Sequence, residues 1–322
     1  MPRALITGIA GQDGSLLAEL LLARGYAVAG VVRPGSAGPF ANLAAVEGRI
    51  DLLAIDLLDE ASLGDALAAF APDEIYNLAA PSFVPRSWDE PVVTAEFAAV
   101  GVTSLLEAVR KRRPAARVYQ ATSSEIFGEP RQVPQNEETP LSPVTPYGVA
   151  KAYAHFIVRS YRRRHGLHVS SGILYNHESP RRPLTFLPRK VAHGAAAIAL
   201  GLQQELVLGD LDARRDWSYA GDSVQAMWLM LQQDAPDDYV IASGVLHSVR
   251  ELVACAFGHV GLAWEQHVRV DPAFLRGSAE LHDLVGDSSK ARERLGWQPQ
   301  VGFEQLVRLL VDADLERLRS AS

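Results

Sequence analysis

Apolar positions recur along the chain with two alternating periods. Short apolar runs at 3–7, 26–32, 50–57, 74–80, 117–121 and 170–175 have the length of buried strands. Between them the spacing is helical. The stretch 15–24 places Leu16, Leu17, Leu20 and Leu21 on one side and stops at Gly25, and 61–70 follows. A long helix is predicted at 92–112, and another at 147–165 that stops at Gly166. Strand and helix alternating from residue 3 to 175 predict an α/β fold with a parallel, doubly wound sheet.

Past residue 183 the rhythm changes. A helix rich in Ala and Gly at 187–200 precedes a strand-like 205–210, and Arg214-Arg-Asp-Trp217-Ser-Tyr-Ala-Gly-Asp222 opens a helix to Leu231. A strand at 239–242, a helix at 249–260 and apolar pieces at 268–272 and around Trp297 complete the chain. Ser248 and Glu251 have capping-box spacing at the start of 249–260. No repeat or low-complexity linker sets this smaller α/β portion apart, so it is expected to interleave with the first.

Polar residues gather where the predicted strands end, the edge at which open parallel sheets hold ligands. The first strand runs into Gly8-Ile-Ala-Gly11-Gln12-Asp13-Gly14 and then a helix. Glycines so spaced permit a tight turn and bring a pyrophosphate to the helix N-terminus. A dinucleotide-binding domain is therefore expected at 1–175, with a contribution from about 213–245, and a discontinuous, mainly substrate-binding domain at 176–322. The second strand ends at Arg33, a cation where the ribose selector sits, which favours NADP over NAD. Asp56-Leu57 ends the third strand beside a potential adenine, and the fourth runs through Leu78 into small residues, Ala79 and Ala80, that admit a cofactor. Gln120-Ala-Thr-Ser-Ser-Glu125-Ile-Phe-Gly128 places two hydroxyls and a carboxylate where the fifth strand opens into a loop. Tyr147 and Lys151 share a helix face, where an ammonium is expected to lower the pKa of the phenol.

Composition narrows the partners. A hydrophobic share of 48% in 322 residues is enough for a full core. The net charge of −7, with no basic cluster beyond Arg162-Arg163-Arg164, argues against nucleic acid. The single cysteine, Cys255, excludes an internal disulfide and fits a reducing compartment. No signal-peptide pattern precedes the first strand, and charges are expected to break every apolar stretch before the ~18 residues of a membrane span. The nine histidines lack zinc-site spacing. The expectation is a soluble, cytoplasmic protein with no metal site and no membrane partner.

Four stretches carry a resemblance: Thr7-Gly-x-x-Gly-Gln-Asp-Gly14, Tyr175-Asn-His-Glu-Ser-Pro-Arg-Arg182, Leu208-Gly-Asp-Leu-Asp-Ala-Arg-Arg-Asp-Trp217 and Ala226-Met-Trp-Leu-Met-Leu-Gln-Gln-Asp234. In this order they resemble the extended short-chain dehydrogenase/reductases, and within them the GDP-mannose 4,6-dehydratase family, over essentially the whole chain. The resemblance implies a Rossmann-type sheet and an NADP-dependent lyase acting on a nucleotide sugar. It implies conversion of GDP-mannose to GDP-4-keto-6-deoxymannose by oxidation at C4, loss of water across C5 and C6, and hydride return to C6. Tyr147 with Lys151 would take the C4 hydroxyl proton, Ser123 would hydrogen-bond the same oxygen, and Glu125 would serve the elimination. It hands Gly8, Gly11, Gln12, Asp13, Gly14, Arg33, Asp56, Leu57, Leu78, Ala79, Ala80, His177 and Arg182 to the cofactor, along with Tyr147 and Lys151. Ser82, Asn176, Lys190, Arg215, Arg276 and Glu280 would hold the nucleotide sugar.

The chain departs from the family pattern at several points. Pro34-Gly-Ser-Ala-Gly-Pro39 replaces a second arginine and a serine-rich loop that helps form the family's tetramer, so a homodimer is expected before a tetramer. The family's Gln-Ser-His-Val reads Pro81-Ser-Phe-Val84, Val93 stands at a tyrosine position, and one extra residue separates Arg276 from Glu280. Two alternatives therefore stand beside the dehydratase. One is a 4-epimerase or decarboxylase of a UDP- or CDP-sugar, against which Glu125 speaks. The other is a catalytically silent dinucleotide-binding regulator, which would not need the set Ser123, Glu125, Tyr147 and Lys151.

Overall fold

The computed structural model describes residues 1–36, 38–274 and 283–321. In chain order the strands are β1 (Arg3–Thr7), β2 (Ala27–Val32), β3 (Asp51–Ala54), β4 (Glu74–Asn77), β5 (Arg117–Ser123) and β6 (Val169–Leu174). They continue with β7 (Asn176–Glu178), β8 (Leu206–Leu208), β9 (Arg214–Tyr219), β10 (Asp238–Ile241), β11 (Leu246–Ser248) and β12 (Val268–Val270). The helices are α1 (Gln12–Ala23), α2 (Glu60–Phe70), α3 (Arg86–Asp89), α4 (Pro91–Ala95), α5 (Gly101–Arg112) and α6 (Pro146–His165). After them come α7 (Leu187–Ala199), α8 (Ala220–Leu231), α9 (Val249–His259), α10 (Ser289–Leu295) and α11 (Phe303–Ala321).

Seven parallel strands form one sheet in the order β10-β6-β5-β4-β1-β2-β3. Strand order reverses between β1 and β4, and the crevice at such a switch point is where open α/β sheets bind ligands. Alternation along each strand divides the side chains between two helical layers. Ala4, Ile6, Tyr76 and Tyr119 pack with Leu17 and Leu21 of α1 and Val224 and Met227 of α8. Leu5, Ile75 and Val118 face the other way, onto Leu63 and Leu67 of α2, Leu105 and Val109 of α5, and Val158 of α6. A separate cluster joins α7, α9 and α11 around Trp217, and small sheets β11-β9-β7 and β12-β8 flank it.

The first turn of the chain shows why glycine is required there. Gly8 adopts φ +69, and a Cβ on Gly14 would lie 2.5 Å from the Gly8 carbonyl oxygen. The start of α1 is thereby pressed onto the end of β1, with Gly11 as N-cap and no side chain closing the cap. The helix at 249–260 begins as its spacing predicts, with Ser248 and Glu251 forming the reciprocal capping box. Arg214-Arg215-Asp216-Trp217 differs from a simple helix entry: it is strand β9, pairing with both β11 and β7. A buried carboxylate explains this. Asp216 accepts from Ser243 N, Ser243 Oγ, Gly244 N and Gly286 N, so the segment is extended to reach two loops at once.

One expectation fails. Residues Pro91–Arg112 run through α4, a π-helical turn at Glu96–Val100 and α5 as a single 22-residue helix, long and apolar enough by length and composition to cross a membrane. Its two carboxylates, Glu96 and Glu107, do not offset so many Val, Ala and Leu side chains. In this fold half of its most apolar window is buried, and the buried side lies within the layer formed with α2 and α6.

Candidate active site

A single cavity of about 840 Å³ opens along the carboxyl ends of β1, β2, β4, β5 and β6 and continues between α7, β8 and β9. All the candidate residues line it except Arg276 and Glu280, which lie outside the described residues. Gly8, Gly11 and Gly14 with Gln12 and Asp13 form one end. Arg33, Asp56 and Leu57 edge it from the second and third strands, and Leu78, Ala79 and Ala80 floor it. Lys190, Asp210, Arg215 and Phe274 stand at the far end. The volume is within the range of small-molecule and cofactor sites.

At the centre β5 ends in Ser123, and the following 3-10 turn carries Glu125. Ser123 Oγ accepts from the Glu125 backbone N–H at 3.3 Å, which holds the hydroxyl and the carboxylate on one short turn. Thr145 caps α6 through Gly148 N at 3.0 Å, so the helix starts against that turn and presents Tyr147 and Lys151 to the cavity. The Lys151 ammonium donates to the Ala121 carbonyl at 2.9 Å and sits 5.6 Å from the centroid of the Tyr147 ring.

The expected lowering of the phenol by the ammonium does not appear in the protein alone. Burial pushes Tyr147 up to about 12, outweighing the hydrogen bond from Ser123, and the Glu125 charge pushes in the same direction. Burial also drives Lys151 down to about 8, with Asp13 pulling the other way. Both groups are thus held toward their neutral forms. Dehydration of a site this deep dominates a single cation at such a distance.

A second polar cluster fixes the glycine-loop end. His177 Nε2 lies 2.8 Å from Asp13 Oδ2, and its Nδ1 lies 2.7 Å from the Tyr175 carbonyl. Gln12 Nε2 donates to the His177 carbonyl at 3.0 Å, while Ser179 Oγ donates to Gln12 Oε1 at 2.8 Å. Burial works against both charges, but each stabilises the other: Asp13 is held below its ordinary value and His177 above it. Beside them the Arg182 guanidinium lies 3.4 Å from Glu178 and 3.7 Å over the Phe186 ring, which in turn meets Phe83 edge-on at 5.4 Å.

Phe186, Phe274 and Glu178 are lining residues that the sequence did not single out. Glu178 sat inside a quoted motif, but nothing in its spacing distinguished a buried acid from a surface one. Phe97 was equally silent, yet its ring takes the Arg33 guanidinium at 4.9 Å. Among the described residues no cluster of His, Cys, Asp and Glu could hold a metal ion.

The residues present fit a dinucleotide. Gly11 lines the cavity as the N-cap of α1 with no side chain closing the cap, so the helix N-terminus opens toward the cavity and suits a pyrophosphate. Known proteins agree with this geometry. The model of the GDP-mannose 4,6 dehydratase family matches residues 5–310. GDP-mannose 4,6 dehydratase 1 of Arabidopsis thaliana is 47% identical, covering 97% of this chain and 90% of that protein. The Homo sapiens GDP-mannose 4,6 dehydratase is 44% identical, covering 98% and 92%. Among solved structures, a dTDP-glucose 4,6-dehydratase of Streptomyces venezuelae with NAD bound superposes with a TM-score of 0.87 at 27% identity, covering 99% of this chain and 98% of that one.

The buried pair sets a pH dependence. A histidine raised on folding contributes stability that is fully present below its unfolded value near 6.5 and is lost as pH rises through the folded value. Asp13, depressed from 3.8, stays ionised throughout that range. His177→Gln should therefore lower Tm by about 2–4 °C near pH 6, on the order of 1 kcal/mol. The gap should narrow toward pH 9 in thermal scans, and a gap independent of pH would show that the imidazolium charge is not involved.

Proposed function

The chain belongs to the GDP-mannose 4,6-dehydratase family and is an enzyme of that kind, a nucleotide-sugar hydro-lyase, and we propose that Ser123, Glu125, Tyr147 and Lys151 carry the reaction on GDP-mannose. The observation that carries this assignment is the short turn from Ser123 to Glu125 facing Tyr147 in one buried cavity. A nicotinamide dinucleotide bound along the glycine loop supplies the hydride acceptor and donor within one turnover.

The chain's own residues supply the proton chemistry. Tyr147, as the phenolate, takes the proton of the sugar C4 hydroxyl as that carbon is oxidised, and Ser123 hydrogen-bonds the same oxygen. The C4 ketone acidifies C5–H. Glu125 then removes that proton and returns it to the departing C6 hydroxyl, so one water leaves. The proton that Tyr147 took from the C4 hydroxyl then balances the one needed at C5, relayed through Glu125, and with the hydride that the dinucleotide would return to C6 this gives GDP-4-keto-6-deoxymannose. Lys151, anchored on the Ala121 carbonyl, stands over the Tyr147 ring and would balance the phenolate when it forms. Because burial holds Tyr147 near 12, this balance matters most while the proton is moving.

Tyr147→Phe should reduce kcat at least about a thousandfold, within the general acid–base range, and Glu125→Gln should bind cofactor normally while losing at least about a hundredfold in water loss. Mass spectrometry of the nucleotide sugar reads both. Undiminished loss of water in Glu125→Gln would place the base elsewhere, and a product of unchanged mass from the unaltered enzyme would favour epimerisation.

Within the nicotinamide dinucleotides we assign NADP. Arg33, held over Phe97, lines the cavity beside Ser36 at the end of β2, where a 2′-phosphate would lie. Arg33→Ala should weaken NADP binding about tenfold or more and leave NAD nearly unchanged in equilibrium titration. Equal loss for both nucleotides would remove the assignment.

A homodimer is the proposed assembly. Val149, Tyr153 and Phe156 share one exposed face of α6, and the exposed Val92 and Val100 stand on the neighbouring 91–112 helix, joined to it by a 3.0 Å contact between Thr103 and Tyr153 hydroxyls. Such an apolar stripe on two adjacent helices suits a two-fold, self-complementary contact. Phe156→Glu should halve the mass seen by light scattering. An unaltered chain that sediments as a monomer at micromolar concentration would refute the dimer.

A further inference from the structure

The loop 179–186 connects β7 to α7 and brings Arg182, Thr185 and Phe186 to the cavity wall. On one side it is tied to the glycine loop and α1, through Ser179 to Gln12 and Arg181 to Glu19. On the other side its backbone is tied to the end of the chain. Arg317 of α11 donates to the Pro180 carbonyl at 2.7 Å, and Arg189 of α7 donates to the Arg182 carbonyl at 3.1 Å.

Both guanidiniums converge on one carboxylate. Asp314 is 1% exposed, accepts from Arg189 through Oδ2, and lies 3.2 Å from Arg317 through Oδ1. Arg189 is itself buried. A carboxylate so enclosed cannot exchange its partners for water without leaving a bare buried charge. The two arginines are consequently fixed in direction, and the second donor of each is spent on a loop carbonyl. Charge-assisted hydrogen bonds of this kind are stronger and more directional than neutral ones. None of these three side chains faces the reacting groups, so their effect on the cavity runs through the loop backbone.

We infer that Asp314, with Arg189 and Arg317, is a clasp by which the last helix sets the conformation of the loop carrying Arg182. Asp314, Arg189 and Arg317 are positioning residues. The clasp rests on the proposed function only in that Arg182 is read as a ligand-binding side chain; its effect on the loop backbone is measurable without any ligand.

Asp314→Ala opens a buried charge and risks the fold, so the informative change is Arg317→Ala, whose side chain is half-exposed and leaves the Arg189–Asp314 pair in place. Hydrogen exchange by mass spectrometry on the full chain should show the Arg181 and Arg182 amides, protected by Ser179 in the native turn, exchanging about tenfold faster. Peptides from β1, β4 and β5 should be unchanged, and Arg317→Lys should restore most of the protection. Equal exchange in the variant and the unaltered chain overturns the clasp, as does faster exchange spread evenly over the sheet. The Kd for NADP should rise about three- to tenfold in equilibrium titration, with kcat at saturating cofactor within about twofold. Faster local exchange with an unmoved Kd upholds the clasp and refutes the cofactor role of Arg182, so the two failures are told apart.

Discussion

The arrangement of the reacting groups depends on one contact, the hydrogen bond from the Lys151 ammonium to the Ala121 carbonyl. Ala121 lies near the end of a central strand, and its carbonyl accepts from Gln120 Nε2 as well as from the ammonium. Donation from the second turn of α6 ties helix to strand at the point where the strand opens into the Ser123–Glu125 turn. With that register set, Tyr147 one turn earlier and the hydroxyl and carboxylate two and four residues later in the chain fall into one cavity. The contact is local and polar, and the apolar layers of α2, α5 and α6 beneath the sheet make it reproducible.

The same site has to join two portions of the chain that have separate cores. The junction is polar. Asp13 and Gln12 come from the first turn of α1, and His177 and Ser179 from beyond β6, more than 160 residues later in the chain. Apolar packing alone would join these parts without fixing their rotation, because it is non-directional. Hydrogen bonds across the cavity fix the rotation and line the pocket with the groups a dinucleotide needs. The arginine clasp at Asp314 does for the far side of the same loop what Gln12 and Asp13 do for the near side.

Much of this was legible in the sequence, for definite reasons. Short continuous apolar runs and helical spacing recorded the large sheet and its helices because its central strands are buried on both faces. The glycine run and the Tyr147/Lys151 pair were readable because their spacing is local: three or four residues decide the geometry. Asp314, Phe186 and Glu178 were not readable, since their roles arise only when segments distant in the chain meet. Asp314 and Arg189 are 125 residues apart, and nothing near either marks it as buried. The membrane expectation failed for the opposite reason, an overweighting of single charges within 91–112. Asp216 shows a third case. Its neighbour Arg215 lines the cavity, but the carboxylate itself is consumed in holding two loops.

The electrostatics of the centre follow from this construction. A cavity deep enough to exclude water for an elimination is also one in which charge is costly, so burial pushes Tyr147 up and Lys151 down. The ammonium of Lys151 is supported by an anion, Asp13, whereas a stable phenolate would require fixed cations, and Arg182 is the one that acts on Tyr147 in that sense. Its pull is tempered by Glu178, whose own carboxyl is raised by burial in spite of Arg182. The resting site therefore favours a neutral phenol at Tyr147, while Lys151, lowered to about 8, is still largely an ammonium at neutral pH. Under the proposed mechanism the phenolate forms only as the reaction begins, with that ammonium beside it to offset its charge.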